Sequence, residues 1–137
     1  MAFDPQKLCV DKNGKFVGSC AAVNAYAEVP SKPPTGDHRY WTWDFDKNEW
    51  VEDLDTAKNL AIQQLKKNYR AAITETDERY MQYEKRKALG ISDSSDENDY
   101  QKALDLYKQK TSAYKDKKAQ IEAATSVDDI LNIDLTV

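Results

Sequence analysis

The stretch from residue 54 to residue 137 contains no proline and only one glycine, Gly90. Because proline and glycine are the residues that most disfavour helices, a stretch almost free of them is typical of long helices. All four prolines, the other three glycines and all three tryptophans lie before residue 54. We therefore predict an α+β fold, with a β-rich head over residues 1–53 and a helical hairpin over residues 54–137.

The first long helix is predicted to start at an acidic cap and to end before Gly90. Either Asp53 or Asp55 has the side-chain oxygen that accepts hydrogen bonds from the free N–H groups at a helix start. Glycine readily takes the left-handed conformation that ends a helix, so Leu89 is the predicted last residue.

A second long helix is predicted over about residues 96–123, because Ser94 and Glu97 have the spacing of a capping box. A third, short helix is predicted from Ser126 over residues 127–133. Two long helices joined by a short polar connector either fold back on each other as an antiparallel hairpin or pair with another chain.

Residues repeating every three or four positions form the predicted seam of the two long helices. Its main members are Ile62, Leu65, Tyr69, Tyr83, Tyr100, Leu104, Tyr107, Tyr114 and Ile121. Tyr, Thr, Ala and Lys occupy many seam positions where a self-sufficient coiled coil has Leu or Ile, so we expect a marginal hairpin that favours homo-oligomerisation. The tyrosines either pack the hairpin or form a recognition stripe.

The head is predicted to contain two β-hairpins. Residues Lys7–Val10 and Lys15–Ser19 flank an Asn-Gly step at Gly14, which is the strongest short hairpin signal. Tyr40–Phe45 and Glu49–Glu52 flank a second polar turn. The head is thus predicted to be an antiparallel β structure.

The second hairpin is strongly apolar on one face. Strand alternation places Trp41, Trp43 and Phe45 on this face, with Tyr40 on the other. Tryptophan is among the residue types that dominate protein interfaces. We expect one or two tryptophans to seal the head and the remaining ring to face a partner; the alternative is that all three belong to the core.

The two cysteines, Cys9 and Cys20, are predicted to be free thiols. In the expected hairpin register Cys9 faces Gly18 and Cys20 lies opposite residue 7, which does not bring the sulfur atoms together. Two unclustered cysteines and one histidine also provide no plausible zinc site. We predict no metal and no cofactor.

The sequence offers little for catalysis. His38 is the only imidazole and lies in a predicted loop, and no phosphate-binding loop or nucleophile motif is present. Asp44, Asp46 and Glu49 lack the spacing of an EF-hand loop and are interpreted as turn residues. We therefore predict a protein that is not an enzyme.

Charge and hydropathy limit the partners. The net charge is −4 at pH 7 and neither segment is basic, which argues against nucleic acid. No apolar run is long enough to span a membrane, and Met1–Pro5 does not have the pattern of a secretory signal. We expect a chain made in the cytoplasm.

Several stretches carry a family resemblance. They are Pro-Pro-Thr-Gly at 33–36, Tyr-Trp-Thr-Trp-Asp at 40–44, Glu-Trp-Val-Glu at 49–52, the helical run 57–73 and the closing run 118–130. Together they resemble the tail fibre assembly proteins of tailed bacteriophages, over roughly residues 26–133.

The resemblance implies a chaperone-like function. The head would bind the C-terminal tip of a phage tail fibre or receptor-binding protein and assist its folding and trimerisation, and the helices would set spacing or oligomeric state. The positions that match the motifs are Pro33, Pro34, Trp41, Trp43 and Trp50; Tyr40 is added because it lies beside them.

Two alternatives to the assembly role remain open. One is a structural component of the virion at the fibre tip or baseplate, and the other is a helical-hairpin adaptor that binds a host protein. The expected location is the host cytoplasm, with retention in the virion tail left open.

Overall fold

The structure, a computed structural model, describes residues 6–137. The prediction about a secretory signal in Met1–Pro5 lies outside these residues. The elements, in chain order, are β1 (Leu8–Val10), β2 (Phe16–Ser19), β3 (Ala27–Val29), a short 3-10 helix (His38–Tyr40), β4 (Trp41–Asp44), β5 (Glu49–Glu52), α1 (Leu54–Ala88), α2 (Ser94–Ala123) and α3 (Val127–Leu131). The predicted α+β fold is confirmed: two small antiparallel sheets are followed by two long helices and a short C-terminal helix.

The first sheet has three strands in the order β2-β1-β3, and both pairings are antiparallel. The predicted β1–β2 hairpin is present, with Gly14 at a φ of +80° in its turn. β3 (Ala27–Val29) is a third strand of this sheet, in addition to the two strands of the predicted hairpin. It pairs with β1 on the side opposite β2.

The second sheet is the predicted hairpin of β4 and β5. Trp43 lies directly opposite Trp50, and the two rings meet edge to face with 5.3 Å between their centroids. Trp43 also packs with Val10 and Val29 of the first sheet in a buried cluster. The two sheets therefore share one small apolar core.

Cys9 and Cys20 form a disulfide, so the prediction of two free thiols was wrong. The strand pairing expected around the two cysteines is present. Cys9 pairs with Gly18, and the Cys20 N–H donates to the Lys7 carbonyl at 3.0 Å. However, the register shifts next to this pair, because Val10 pairs with Phe16 and β2 therefore has one extra residue, and Gly18 takes a φ of +82°; the prediction assumed a straight ladder. The Cα atoms of the two cysteines are 4.9 Å apart, within reach of a disulfide.

Helix α1 begins where the sequence predicts and ends one residue before the predicted Leu89. The Asp53 carboxylate accepts hydrogen bonds from the N–H (3.2 Å) and the hydroxyl (2.8 Å) of Thr56, which makes Asp53 rather than Asp55 the cap. The helix ends at Ala88, and Gly90 follows with a φ of +73°.

Helix α2 is capped one residue earlier than predicted. The Asp96 N–H donates to the Asp93 carboxylate at 2.9 Å and the Asp93 N–H donates to the Asp96 carboxylate at 3.2 Å. Asp93 and Asp96 therefore make the reciprocal bonds that were predicted for Ser94 and Glu97. The short helix α3 starts as predicted, because the Asp129 N–H donates to the Ser126 hydroxyl at 3.1 Å.

The two long helices pair in antiparallel fashion, as their ring contacts show. Tyr69 stacks on Tyr114 with 4.8 Å between centroids, and Tyr83 stacks on Tyr100 with 4.4 Å between centroids. Partner positions thus decrease along α2 as they increase along α1. The buried side chains of this pair are few, and several are small: Ala57, Ala61, Leu65, Thr76, Ala103 and Ile121.

The chain divides into two compact units. One comprises the described residues up to Asn59 together with Ala124–Asn132, and the other comprises Leu60–Ala123 and Ile133–Val137. The boundary lies a few residues after the position 53 drawn from the sequence, and α3 belongs to the first unit rather than to the helical one.

Candidate functional site

The tryptophans hold the proline-rich segment in place. The indole N–H of Trp41 donates to the Thr35 carbonyl at 2.7 Å, and that of Trp50 donates to the Ser31 carbonyl at 3.3 Å. Trp43 is only 7% exposed and belongs to the core, whereas Trp41 and Trp50 are half-buried. Of the three indoles, Trp41 and Trp50 therefore retain accessible ring surface.

The remaining predicted contact residues of the head lie around this segment. Pro33 and Tyr40 are half-buried and Pro34 is exposed. Burial raises the pKa of the Tyr40 phenol, so this group stays neutral near pH 7. Its side chain thus offers a neutral hydroxyl beside Trp41.

The loop between Pro34 and Tyr40 is closed by local contacts. Gly36 has a φ of +68°, and a Cβ built there would lie 2.8 Å from a Leu131 methyl group. The Arg39 guanidinium, donating to Asp37 at 2.7 Å, lowers the pKa of that carboxyl to about 2, against a smaller opposing effect of burial. The loop is therefore charged at its surface and tightly packed against α3.

An exposed aromatic surface lies elsewhere in the first unit. Tyr26 is 59% exposed and Phe45 is 40% exposed, and their rings meet edge to face with 5.9 Å between centroids. Val23 is fully exposed in the loop before them. We call these three residues the Tyr26–Phe45 patch.

Sequence reasoning missed the Tyr26–Phe45 patch. Alternation grouped Phe45 with Trp41 and Trp43, but β4 ends at Asp44 and Phe45 lies in the turn that follows. The available signal was Val-Asn-Ala-Tyr at 23–26, in which large apolar residues occur without strand alternation. Such residues in a short connector have no core face to occupy.

The helical unit has an apolar cleft between α1 and α2. Small side chains, Thr76 and Ala103, form its buried floor, and Tyr80, Tyr100 and Tyr107 stand around it. The cavity has a volume of about 200 Å³. This volume is close to that of one large side chain.

The predicted seam residues have different environments. Leu65 and Ile121 are fully buried, and Tyr107 is 37% exposed. The remaining six are half-buried: Ile62, Tyr69, Tyr83, Tyr100, Leu104 and Tyr114. The Tyr69 hydroxyl bonds Thr111 at 2.7 Å. The seam tyrosines of α1 and α2 therefore mostly pack the hairpin with their rings, while Tyr80 and Tyr107 at the cleft keep 48% and 37% of their surface exposed.

The polar groups of the first unit form turns and caps. Within residues 6–137, no group of three His, Cys, Asp or Glu side chains is arranged to hold a metal ion. Asp44 accepts the N–H groups of Asp46 (2.9 Å) and Lys47 (3.1 Å), which confirms its interpretation as a turn residue. His38 is exposed, and its ring lies 6.0 Å from that of Phe16.

Comparisons with protein-family models, with curated proteins and with solved structures gave no match to this chain. None of the helices in the described part of the chain is both long and apolar enough to cross a membrane.

Proposed function

We propose that this protein is a non-enzymatic assembly factor that binds the tip of a phage tail fibre or receptor-binding protein and assists its folding and trimerisation. The resemblance over roughly residues 26–133 supports this role. The observation that carries the proposal is the exposed Tyr26–Phe45 patch beside an outer strand of the first sheet.

The contact is proposed to form at β3. Tyr26 immediately precedes β3, which is an outer strand of the sheet formed by the described residues. An outer strand presents unpaired backbone N–H and C=O groups, to which an extended segment of a partner can add. The two exposed rings would then contact side chains of the added strand, and tyrosine is a common anchor in such contacts.

The predicted contact residues are proposed as a second part of the client surface. Pro33, Pro34, Tyr40, Trp41 and Trp50 belong to the same unit as the Tyr26–Phe45 patch and keep part of their surface accessible. Buried Trp43 supports them from inside the hairpin, through its contact with Trp50.

Assembly clients of this kind need such a partner for a physical reason. Non-local β pairing is slow, and unpaired strand edges promote aggregation before a trimer forms. A protein that covers those edges until the chains are in register increases the yield of correctly assembled trimers.

The proposal is tested by measuring the affinity of this chain for the phage tail fibre or receptor-binding protein proposed as its client. Tyr26→Ala with Phe45→Ala should weaken binding by about 30-fold or more, which corresponds to about 2 kcal/mol for an interface anchor. Leu89→Ala is the control, because Leu89 is also an exposed large apolar residue (73%) but belongs to the helical unit. If the affinity of the double variant is unchanged, the client binds through residues other than Tyr26 and Phe45.

Co-expression tests the assembly role itself. The fibre protein should be insoluble or non-trimeric without this chain and trimeric with it. A fibre protein that becomes soluble and trimeric alone would contradict the role.

The disulfide favours a second candidate, a structural component that remains in the virion at the fibre tip or baseplate. Disulfides persist in oxidising surroundings and are rare in a reducing cytoplasm, and the Cys9–Cys20 bond lies in the core of the first unit. Assembly in the host cytoplasm followed by retention in the virion tail would expose the chain to oxidation. Detection of the oxidised chain in purified particles would support this candidate, and its absence from them would favour a transient helper.

A further inference from the structure

Residues 133–137 lie against both long helices of the second unit. Their main chain is held by side chains from each helix. The Asn68 amide of α1 donates to the Leu135 carbonyl at 2.9 Å. The Lys110 ammonium of α2 donates to the Val137 main-chain oxygen at 2.6 Å, and the Lys117 ammonium donates to the Thr136 carbonyl. The main-chain oxygens of three consecutive residues are thus bound by the side chains of α1 and α2.

The side chains of this segment alternate in burial. Ile133, Leu135 and Val137 are half-buried, whereas Asp134 and Thr136 are exposed. The two polar side chains bond each other, because the Thr136 hydroxyl donates to the Asp134 carboxylate at 2.8 Å. The helices therefore contact the main chain and every second, apolar side chain of the segment.

The donors on the helices are held in position. The Gln64 amide donates to the Asn68 side-chain oxygen at 2.9 Å, which leaves the Asn68 NH₂ directed at the segment. Lys110 and Lys117 are seven positions apart on α2 and are half-buried, while Lys108 and Lys115 on the same helix are exposed. These donors form what we call the 133–137 groove, together with the helix surface under the apolar side chains.

We propose that the 133–137 groove is a binding site for an extended segment of another protein, with apolar residues at alternate positions, and that residues 133–137 are its resident occupant. Recognition through main-chain oxygens does not depend on side-chain identity, and the alternate apolar positions accept side chains of similar size. A foreign segment of this pattern can therefore make the same contacts. The assignment is independent of the client surface on the first unit.

The resident segment is suited to exchange. It is short, has no secondary structure, and is held through half-buried groups, which are features of the least stable parts of a fold. As part of the same chain it competes at an effective concentration in the millimolar range, so it blocks weak ligands and yields to stronger ones.

The test uses the full chain with the resident segment weakened by Leu135→Asp and Val137→Asp. The probe is a fluorescent peptide with the sequence of residues 132–137. We expect the variant to bind this peptide at least about tenfold more tightly than the wild type, because the tethered competitor has been removed. A peptide of the same composition, with its apolar and polar positions exchanged, is the control and should not bind.

Variants of the groove separate recognition from folding. Lys110→Met and Lys117→Met keep the aliphatic stems and remove the donors, so they should abolish peptide binding by the weakened chain while its helical circular dichroism is unchanged. If that variant loses helical signal, Asn68→Leu removes the third donor and is measured instead.

Three results would overturn the assignment. The first is equal peptide binding, or none, by the wild type and the weakened chain. The second is retention of binding after the donors are removed. The third is a wild-type dimer that becomes monomeric when the segment is weakened, because the occupant would then be the segment of a second copy exchanged between chains.

Discussion

At the residue scale, the first unit depends on a glycine that has no room for a side chain. Gly14 has a φ of +80°, and a Cβ built there would lie 2.4 Å from the Trp43 carbonyl oxygen. The Trp43 N–H donates to the Gly14 carbonyl at 2.8 Å, so the turn of one hairpin is joined to a strand of the other. Gly14 therefore forms the tight turn of one hairpin and also sets the distance between the two hairpins.

Replacement of this glycine should be more costly than replacement of Gly18. Gly18 has a similar φ of +82°, but a Cβ there meets nothing within 4 Å. Gly18→Ala should lower the free energy of unfolding by about 1 kcal/mol, the usual cost of left-handed backbone, and Gly14→Ala by at least about 2 kcal/mol. Denaturant titrations followed by tryptophan fluorescence report on the first unit, since all three tryptophans lie in it. Equal losses of unfolding free energy in the two variants would show that the turn can shift away from Trp43 without cost.

Asp53 combines a helix cap with an ion pair. Its carboxylate bonds Thr56 at the start of α1 and pairs with the Lys15 ammonium, which also donates to the Thr42 hydroxyl at 2.8 Å. Burial tends to raise the pKa of Asp53, but the bonds from Lys15 and Thr56 outweigh it, so the pKa is lowered. The charged form is thus stabilised by folding.

The stability of the first unit should fall in acid through this group. A folded-state pKa below the unfolded value gives stability that is complete above the unfolded pKa and is lost as the pH falls through the folded pKa. Asp53→Asn keeps a capping oxygen and removes the charge, so it should reduce this dependence on pH, whereas Asp53→Ala should also lose about 1 kcal/mol from the missing cap. Unfolding titrations from neutral to acidic pH measure both. If Asp53→Asn keeps the wild-type dependence of unfolding free energy on pH, that dependence arises from other carboxyl groups.

At the scale of elements, two features join the strands of the β1–β2 hairpin. One is its turn, and the other is the disulfide between Cys9 of β1 and Cys20, the residue after β2. The linked cysteines are 11 residues apart in sequence, and both are buried. A cross-link over a loop of this length reduces the entropy of the unfolded chain. The bond therefore adds stability to a small sheet whose buried core cluster includes Val10, Val29 and Trp43.

Removal of the disulfide should destabilise the first unit by about 3 kcal/mol, the loop-closure value for a loop of this size. Cys9→Ala with Cys20→Ala and reduction of the wild type by dithiothreitol should give the same loss of unfolding free energy. Dithiothreitol should have no effect on the double variant, which is the control. An unchanged unfolding midpoint would show that the cross-link does not limit this unit.

Helix α2 shows why the residue that caps an element is hard to predict. The segment Ser-Asp-Ser-Ser-Asp-Glu at 92–97 contains several residues suited to a cap. Asp93 takes the role, and Arg86 of α1 pairs with its partner Asp96. The choice among neighbouring caps thus depends on a residue from the other helix, which local sequence does not reveal.

At the scale of the whole molecule, the helical unit buries little apolar surface for its length. Its helices have 35 and 30 residues, yet large exposed side chains remain at Tyr80, Met81 and Tyr107. Most helical stability in proteins comes from packing of an apolar face rather than from propensity. A second copy of the chain would cover this face.

We expect the chain to self-associate through the helical unit. Tyr80→Glu with Tyr107→Glu should shift sedimentation equilibrium toward monomer, with at least a tenfold weaker dimer constant, which corresponds to about 1.4 kcal/mol. Lys85→Glu, an exposed substitution on α1, is the control and should leave the equilibrium unchanged. A wild-type chain that is monomeric at high concentration would contradict the expectation.

The sequence by itself determined the element types and most of their ends. Turn signals at Gly14 and Gly90, the cap at Asp53 and the strand alternation in Trp41–Asp44 act within a few residues, so they can be recognised locally. The α+β order of strands followed by helices follows from them.

Only the tertiary structure decided which side chains meet and which remain exposed. The disulfide depends on a shift in the register of β1 and β2, and the burial of Trp43 depends on the sheet opposite it. The exposure of Tyr26 and Phe45 depends on where β3 begins and where β4 ends. Residues 133–137 accept hydrogen bonds from Asn68, Lys110 and Lys117, which are far from them in sequence. Such contacts are set by the packing of distant elements, because periodicity and propensity describe only neighbours along the chain.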